Sequence, residues 1–137
     1  KNGIIVIDDY AHHPEEIKAT ILAAKNGWGK RIISVFQPHL FSRTRDFYID
    51  FSKSLSKSDI IIITDVFGSR EKKIKGVSSK LILNELTKIK KNNVYYVKKI
   101  EKIPNYLEKI VEKNDMVIFM GAGNINKSII PFIKRIK

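Results

Sequence analysis

Short, uninterrupted apolar runs alternate along this chain with stretches whose apolar residues recur at helical spacing. Gly3–Asp8 has no polar residue between its ends and predicts a strand buried on both faces. Pro14–Lys25 predicts a helix. Pro14 stands at its first position, Glu15 and Glu16 in its first turn, Ile17, Ile21 and Ala24 on one face, and Asn26-Gly27 at its stop. Arg31–Phe36 predicts a second strand, and Phe47, Phe51 and Leu55 mark the buried stripe of a helix over about 44–56. Ile60–Thr64 is β-branched throughout and predicts a third strand. After a polar loop from Phe67 to Gly76, whose cluster Arg70-Glu71-Lys72-Lys73 is expected to face solvent, Ser78 or Ser79 caps a helix carrying Ile82, Leu86 and Ile89. Val94–Val97 and Met116–Met120 predict two more strands, each followed by a helix, over Ile103–Glu112 and about 125–136. Pro131 falls inside the last helix and should kink or delay it.

Five strand–helix units in series predict an α/β fold: a Rossmann-like three-layer domain with a mainly parallel sheet of five or six strands, wound right-handedly. No repeat, low-complexity tract or linker divides the 137 residues, so a single domain is expected. The chain runs straight into its first strand, which predicts a domain belonging to a longer protein. In such a sheet ligands bind at the carboxyl ends of the strands. Three of the turns there carry unusual chemistry.

The first is Asp8-Asp9-Tyr10-Ala11-His12-His13-Pro14. Its carboxylates can hold ribose hydroxyls or a metal, and a neutral histidine can give or take a proton. The structural alternative is that Asp8 caps the following helix. The second runs from Gln37 through His39 to Asp46, with Arg43 and Arg45 flanking Thr44 at the predicted start of a helix. Backbone amides there favour an anion, and an arginine fork binds a planar one bidentately. Pairing of Arg45 with Asp46 or Asp50 is the simpler alternative. The third, Gly121-Ala122-Gly123-Asn124-Ile125-Asn126, begins like a dinucleotide fingerprint but has Asn126 where the third glycine belongs. It speaks mainly for a close backbone approach.

Composition narrows the classes. With no cysteine there are no disulfides and no thiolate metal site, and a reducing cytoplasm fits. No apolar run approaches the ~20 residues of a membrane span. The net charge of +12 favours polyanions, but the lysine pairs fall at element ends without interleaved aromatic residues. No specific nucleic acid and no membrane is therefore expected as a partner. A response-regulator receiver shares paired acids after strand one and an acid after strand three, here Asp65. It also requires a lysine closing strand five, where this chain has Met120-Gly121.

Together the three turns resemble the C-terminal domain of the Mur ligases, ATP-dependent enzymes that build the peptide of bacterial peptidoglycan. The core from Asp9 to Pro14, Asp-Tyr-Ala-His-x-Pro, is shared across that family and with folylpolyglutamate synthases. The doubled histidine narrows the resemblance to the alanine-adding and the murein-peptide branches. Phe36-Gln37-Pro38-His39 followed by Ser42-Arg43-Thr44-Arg45-Asp46 favours the alanine-adding branch, and Asp65-Val66-Phe67, Arg70-Glu71 and the closing Gly-Ala-Gly fit as well.

The resemblance covers essentially the whole chain and implies that residues 1–137 are the C-terminal part of a three-domain ligase. In that family ATP phosphorylates the muramoyl carboxylate of UDP-N-acetylmuramate, and the amine of L-alanine displaces phosphate from the acyl phosphate. Carried over, Asp9 holds the ATP ribose and Tyr10 lines the nucleotide or amino-acid pocket. His12 lies at the reacting centre and Arg43 binds the alanine carboxylate, with His13, His39 and Arg45 in support. Leu40 stands where many relatives have arginine, which leaves the carboxylate clamp on Arg43 with Arg45 or another group. No G-x-x-x-x-G-K-[ST] stretch occurs here, so the ATP phosphates and Mg²⁺ are expected mainly on a central domain. The domain's own partners would be that central domain and an N-terminal one, and alone it should be inactive.

Overall fold

A computed structural model describes residues 2–137. Along the chain run β1 (Ile5–Asp9), α1 (Pro14–Trp28), β2 (Ile32–Phe36), α2 (Phe41–Leu55) and β3 (Ile60–Ile63). Then come α3 (Lys80–Ile89), β4 (Val94–Tyr96), α4 (Ile103–Ile110), β5 (Met116–Met120) and α5 (Ile129–Arg135). Tight 3₁₀ turns over Ile100–Lys102 and Ile125–Ser128 lead into α4 and α5.

The strands form one parallel sheet in the order β1-β5-β2-β3-β4. Successive side chains of a strand point to opposite faces, so each strand feeds two cores. Ile17 and Ile21 of α1, Phe51 and Leu55 of α2, and Ile82 and Leu86 of α3 cover one face, against Ile61, Ile63 and Met116. Ile103 and Leu107 of α4 and Phe132 of α5 cover the other, against Ile33, Val35, Val117 and Phe119. These side chains are fully buried, each contributing about 1.5–3 kcal/mol relative to exposure. The expected three layers and the parallel sheet are present.

Strand order places the chemistry. The connection from β1 to β2 crosses β5, so β1, β5 and β2 are neighbours and their three unusual turns lie side by side. Here α1 and α2 leave toward one face and α5 toward the other, the crossing point at which open α/β sheets bind ligands. A receiver has the order 2-1-3-4-5 instead, and the observed order excludes that reading.

Several boundaries differ from the sequence pattern. Helix α1 continues through Asn26-Gly27 to Trp28 and stops at Gly29, whose φ of 62° lets its N–H reach the Lys25 carbonyl at 3.2 Å. Helix α2 begins at Phe41, earlier than Thr44, because its first turn is capped from a distant loop. Helix α5 starts only at Ile129, which puts Pro131 in the first turn, where its missing N–H costs nothing.

Candidate active site

Asp9 ends β1 with both carboxylate oxygens engaged: Oδ1 accepts the Ala11 N–H and Oδ2 the Thr20 hydroxyl, each at 2.8 Å. It therefore ties the turn to α1, while each oxygen keeps a lone pair for a ligand. Glu16, not Asp8, caps the helix. Its Oε1 accepts the N–H groups of His12 at 3.1 Å and His13 at 3.0 Å, bonds that hold its carboxyl below the usual range. Asp8 is left exposed and lines a cleft of about 180 Å³ with Tyr10, Gly121, Gly123 and Asn126.

Tyr10 projects with 70% of its surface exposed. The His12 ring sits edge-on to it and to His39, with centroids 5.4 and 6.2 Å away. His12 Nδ1 is 2.9 Å from the Tyr10 carbonyl, which can only accept. In the neutral ring Nδ1 thus carries the proton and Nε2 keeps the free lone pair. His13 packs instead against Phe47 on the α2 side of the turn.

The second turn is held by the loop after β3. Phe67 donates its N–H to the Pro38 carbonyl at 2.8 Å and accepts the Leu40 N–H at 2.9 Å. The His39 ring lies stacked on Phe67, with centroids 5.8 Å apart. Arg43 Nη1 donates to His39 Nδ1 at 3.1 Å, so that nitrogen is unprotonated and the ring neutral. Burial, with the charges of Arg43 and His12, lowers the His39 pKa below its ordinary value, and Glu71 opposes this. A depressed histidine pKa means the unfolded chain binds the proton first, so this contribution to stability is lost as pH falls below about 6.5. NMR titration should show His39 titrating below that value, and Arg43→Ala should move it upward. An unmoved titration would remove the Arg43 contact.

Among the described residues Arg43 has no carboxylate partner. Arg45 does: it pairs with Asp46 at 2.8 Å on the exposed flank of α2, and the structure does not bring the two arginines together as a fork. Nor is the start of α2 open to a ligand anion. Glu71 fills it, with Oε1 accepting the Ser42 N–H at 2.9 Å and Oε2 the Ser42 hydroxyl. Sequence reasoning missed this residue by placing its charge cluster in solvent. The one signal was its place in the family pattern beside Arg70.

Gln37, 4% exposed, knits the second turn to the third. Its Oε1 accepts the N–H groups of Asn124 and Ile125 at 3.0 and 3.1 Å, and its Nε2 donates to Asn124 Oδ1 at 2.7 Å. A Cβ at Gly123 would stand 2.5 Å from the Phe67 ring and 2.6 Å from Gln37 Oε1. The close approach expected of the Gly-x-Gly stretch is thus to the neighbouring turns of the protein itself.

The family described as "Mur ligase, glutamate ligase domain" matches residues 1–123. The chain belongs to the Mur ligase family. This Mur ligase domain is 49% identical over 123 residues to the UDP-N-acetylmuramate–L-alanine ligase of Caldanaerobacter subterraneus subsp. tengcongensis, covering 90% of this chain and 26% of that protein. It is 40% identical over 137 residues to the ligase of the same name from Trichlorobacter lovleyi, covering 99% of this chain and 30% of that protein. The crystal structure of UDP-N-acetylmuramate-alanine ligase from Thermotoga maritima superimposes with a TM-score of 0.74 at 32% identity, over 97% of this chain and 26% of that one. The chain thus spans less than a third of the length of these relatives.

Proposed function

We propose that this Mur ligase domain is the C-terminal domain of a three-domain, ATP-dependent ligase that joins L-alanine to UDP-N-acetylmuramate through an acyl phosphate. The observation that carries the proposal is the Arg43 guanidinium, without a carboxylate partner among the described residues and bonded to His39, whose ring lies 6.2 Å from that of His12, in a chain 40–49% identical to ligases of that name. A carboxylate fits the guanidinium fork, and the adjacent imidazoles fit the amine of the same small acceptor. In this reading Arg43 holds the carboxylate of alanine, and the hydrogen bond to His39 sets its orientation. Arg45 is paired with Asp46 at the rim and adds no free charge to the site. His12 Nε2 takes a proton from the ammonium, which frees the nitrogen lone pair that attacks the acyl carbon. The C–N bond forms, the bond from carbon to the phosphate oxygen breaks, and the second N–H proton leaves with the phosphate as hydrogenphosphate. Tyr10 offers its exposed ring to the nucleotide or amino acid, and Asp9 its remaining lone pairs to the ribose.

Mg²⁺ is commonly held by one or two carboxylates together with substrate phosphates and not by an all-protein cage. Among the described residues no three His, Asp or Glu side chains converge, and the cleft between β1 and β5 offers the single carboxylate of Asp8. In this reading the ATP phosphates and the metal are held mainly by a central domain, and the UDP-sugar by an N-terminal one. No described helix is long and apolar enough to cross a membrane.

Phosphate release by the full-length protein, with ATP, Mg²⁺ and UDP-N-acetylmuramate, is expected to depend on L-alanine. Activity only with a free murein peptide would reassign the domain to the murein-peptide branch. The 137-residue chain alone should show no turnover, and detectable ligation by it would overturn the division of labour.

A further inference from the structure

The loop between β3 and α3 does more than connect them. Phe67 fastens the main chain of Pro38 and Leu40 and carries the His39 ring. Four residues on, Glu71 reaches the first turn of α2, where Ser42 gives it an N–H and a hydroxyl. Gly68 lies between them under the Phe41 ring, where a Cβ would stand 2.7 Å from Cε2. Between these two attachments Leu40 has φ 73° and ψ 135°, a conformation that a leucine does not adopt unless its surroundings impose it. They do: its N–H is held by the Phe67 carbonyl, and its own carbonyl accepts the N–H and the hydroxyl of Thr44.

His39 and Arg43 stand on either side of this clamped segment. We propose that Glu71 is a positioning residue for the acceptor site: by fixing the first turn of α2 it holds the Arg43 guanidinium against His39, free to receive the carboxylate of the amino acid. It also fills the amino end of α2 with the protein's own carboxylate. A substrate anion is refused there and directed to Arg43 instead. The inference deepens the proposed ligase function and rests on it.

The two oxygens of Glu71 act differently enough to be separated. A glutamine keeps the length of the side chain and one carbonyl oxygen, so it can retain one of the bonds to Ser42 but not both as acceptor. An alanine retains neither.

The test uses the full-length ligase, with initial rates measured against L-alanine and ATP in turn. Glu71→Ala is expected to raise the KM for L-alanine about tenfold or more, and Glu71→Gln by a smaller factor, with the KM for ATP within about twofold of wild type. Ser42→Ala, which removes the hydroxyl but not the backbone N–H, should resemble the glutamine variant. Thermal unfolding of each variant establishes that it is folded; if the alanine variant is not, the glutamine and Ser42 variants decide. An unchanged KM for alanine in folded variants overturns the proposal. So does an equal rise in both KM values, which would make Glu71 a general structural support. Wild-type enzyme without alanine-dependent turnover would instead overturn the functional reading beneath it.

Discussion

Arg43→Ala in the full-length ligase is expected to raise the KM for L-alanine by about 10- to 100-fold and to leave the KM for ATP within about twofold. The magnitude follows from the bond lost. A hydrogen bond to a charged group contributes roughly 1.5–3 kcal/mol, and each 1.4 kcal/mol is a factor of ten. Arg43 can deliver that energy because no carboxylate of the described residues neutralises it and because His39 fixes one of its nitrogens from behind. Lysine at this position should recover only part of the loss, since an ammonium lacks the planar fork. Arg45 provides the internal comparison. It already spends its guanidinium on Asp46 at the surface, so Arg45→Ala is expected to change the KM for alanine less than about twofold. If Arg43→Ala leaves the alanine KM unaltered, the carboxylate is held elsewhere. If the ATP KM rises in step, the arginine supports the whole turn and not the acceptor alone.

The different fates of these two arginines show where the sequence was legible. Apolar runs fixed the strands, because Ile32–Phe36 and Met116–Met120 are buried on both faces and admit no polar residue except Ser34. The turns that follow β1, β5 and β2 were recognisable by their chemistry. That they meet was not, because the insertion of β5 between β1 and β2 is a matter of pairing among several similar apolar runs. The local pattern pointed to Asn26-Gly27 as the stop of α1, yet Gly27 sits within the helix and the left-handed turn falls two residues later, at Gly29. The start of α2 could not be read locally at all. Its cap, Glu71, comes from 29 residues farther along, and nothing near Phe41 announces it. The same long-range contact turned an apparent anion site at the helix start into one already filled. The Arg45 pairing, by contrast, was among the local alternatives, since its partner is the next residue.

At the opposite end of the sheet a single substitution should test what keeps those three turns in line. Arg31→Ala is expected to destabilise the folded 137-residue chain by about 3 kcal/mol, lowering its midpoint by roughly 10 °C in thermal unfolding. Arg31 binds Asp115 with two bonds, from Nε at 2.9 Å and Nη2 at 2.7 Å, and also reaches the Ile110 carbonyl at 3.1 Å. Asp115 is 2% exposed. Without the guanidinium its charge would keep only the Glu112 N–H at 2.8 Å, and an uncompensated buried charge costs about 3–5 kcal/mol. The lower figure applies because Arg31 keeps 32% of its side chain in water and the cavity it leaves can admit solvent. Replacing both partners, as Arg31→Met with Asp115→Leu, should recover most of the loss, since no buried charge then remains. A loss below about 1 kcal/mol would place the pair with ordinary surface ion pairs. The location gives the result its meaning. Asp115 passes its carbonyl to the Ile5 N–H of β1, and Arg31 passes its own to the Met116 N–H of β5. The ion pair thus joins the amino ends of the three strands whose carboxyl ends bear the site. Because the strands are rigid and share one register, Arg31→Ala should weaken the fold without moving the His39 titration in the molecules that remain folded.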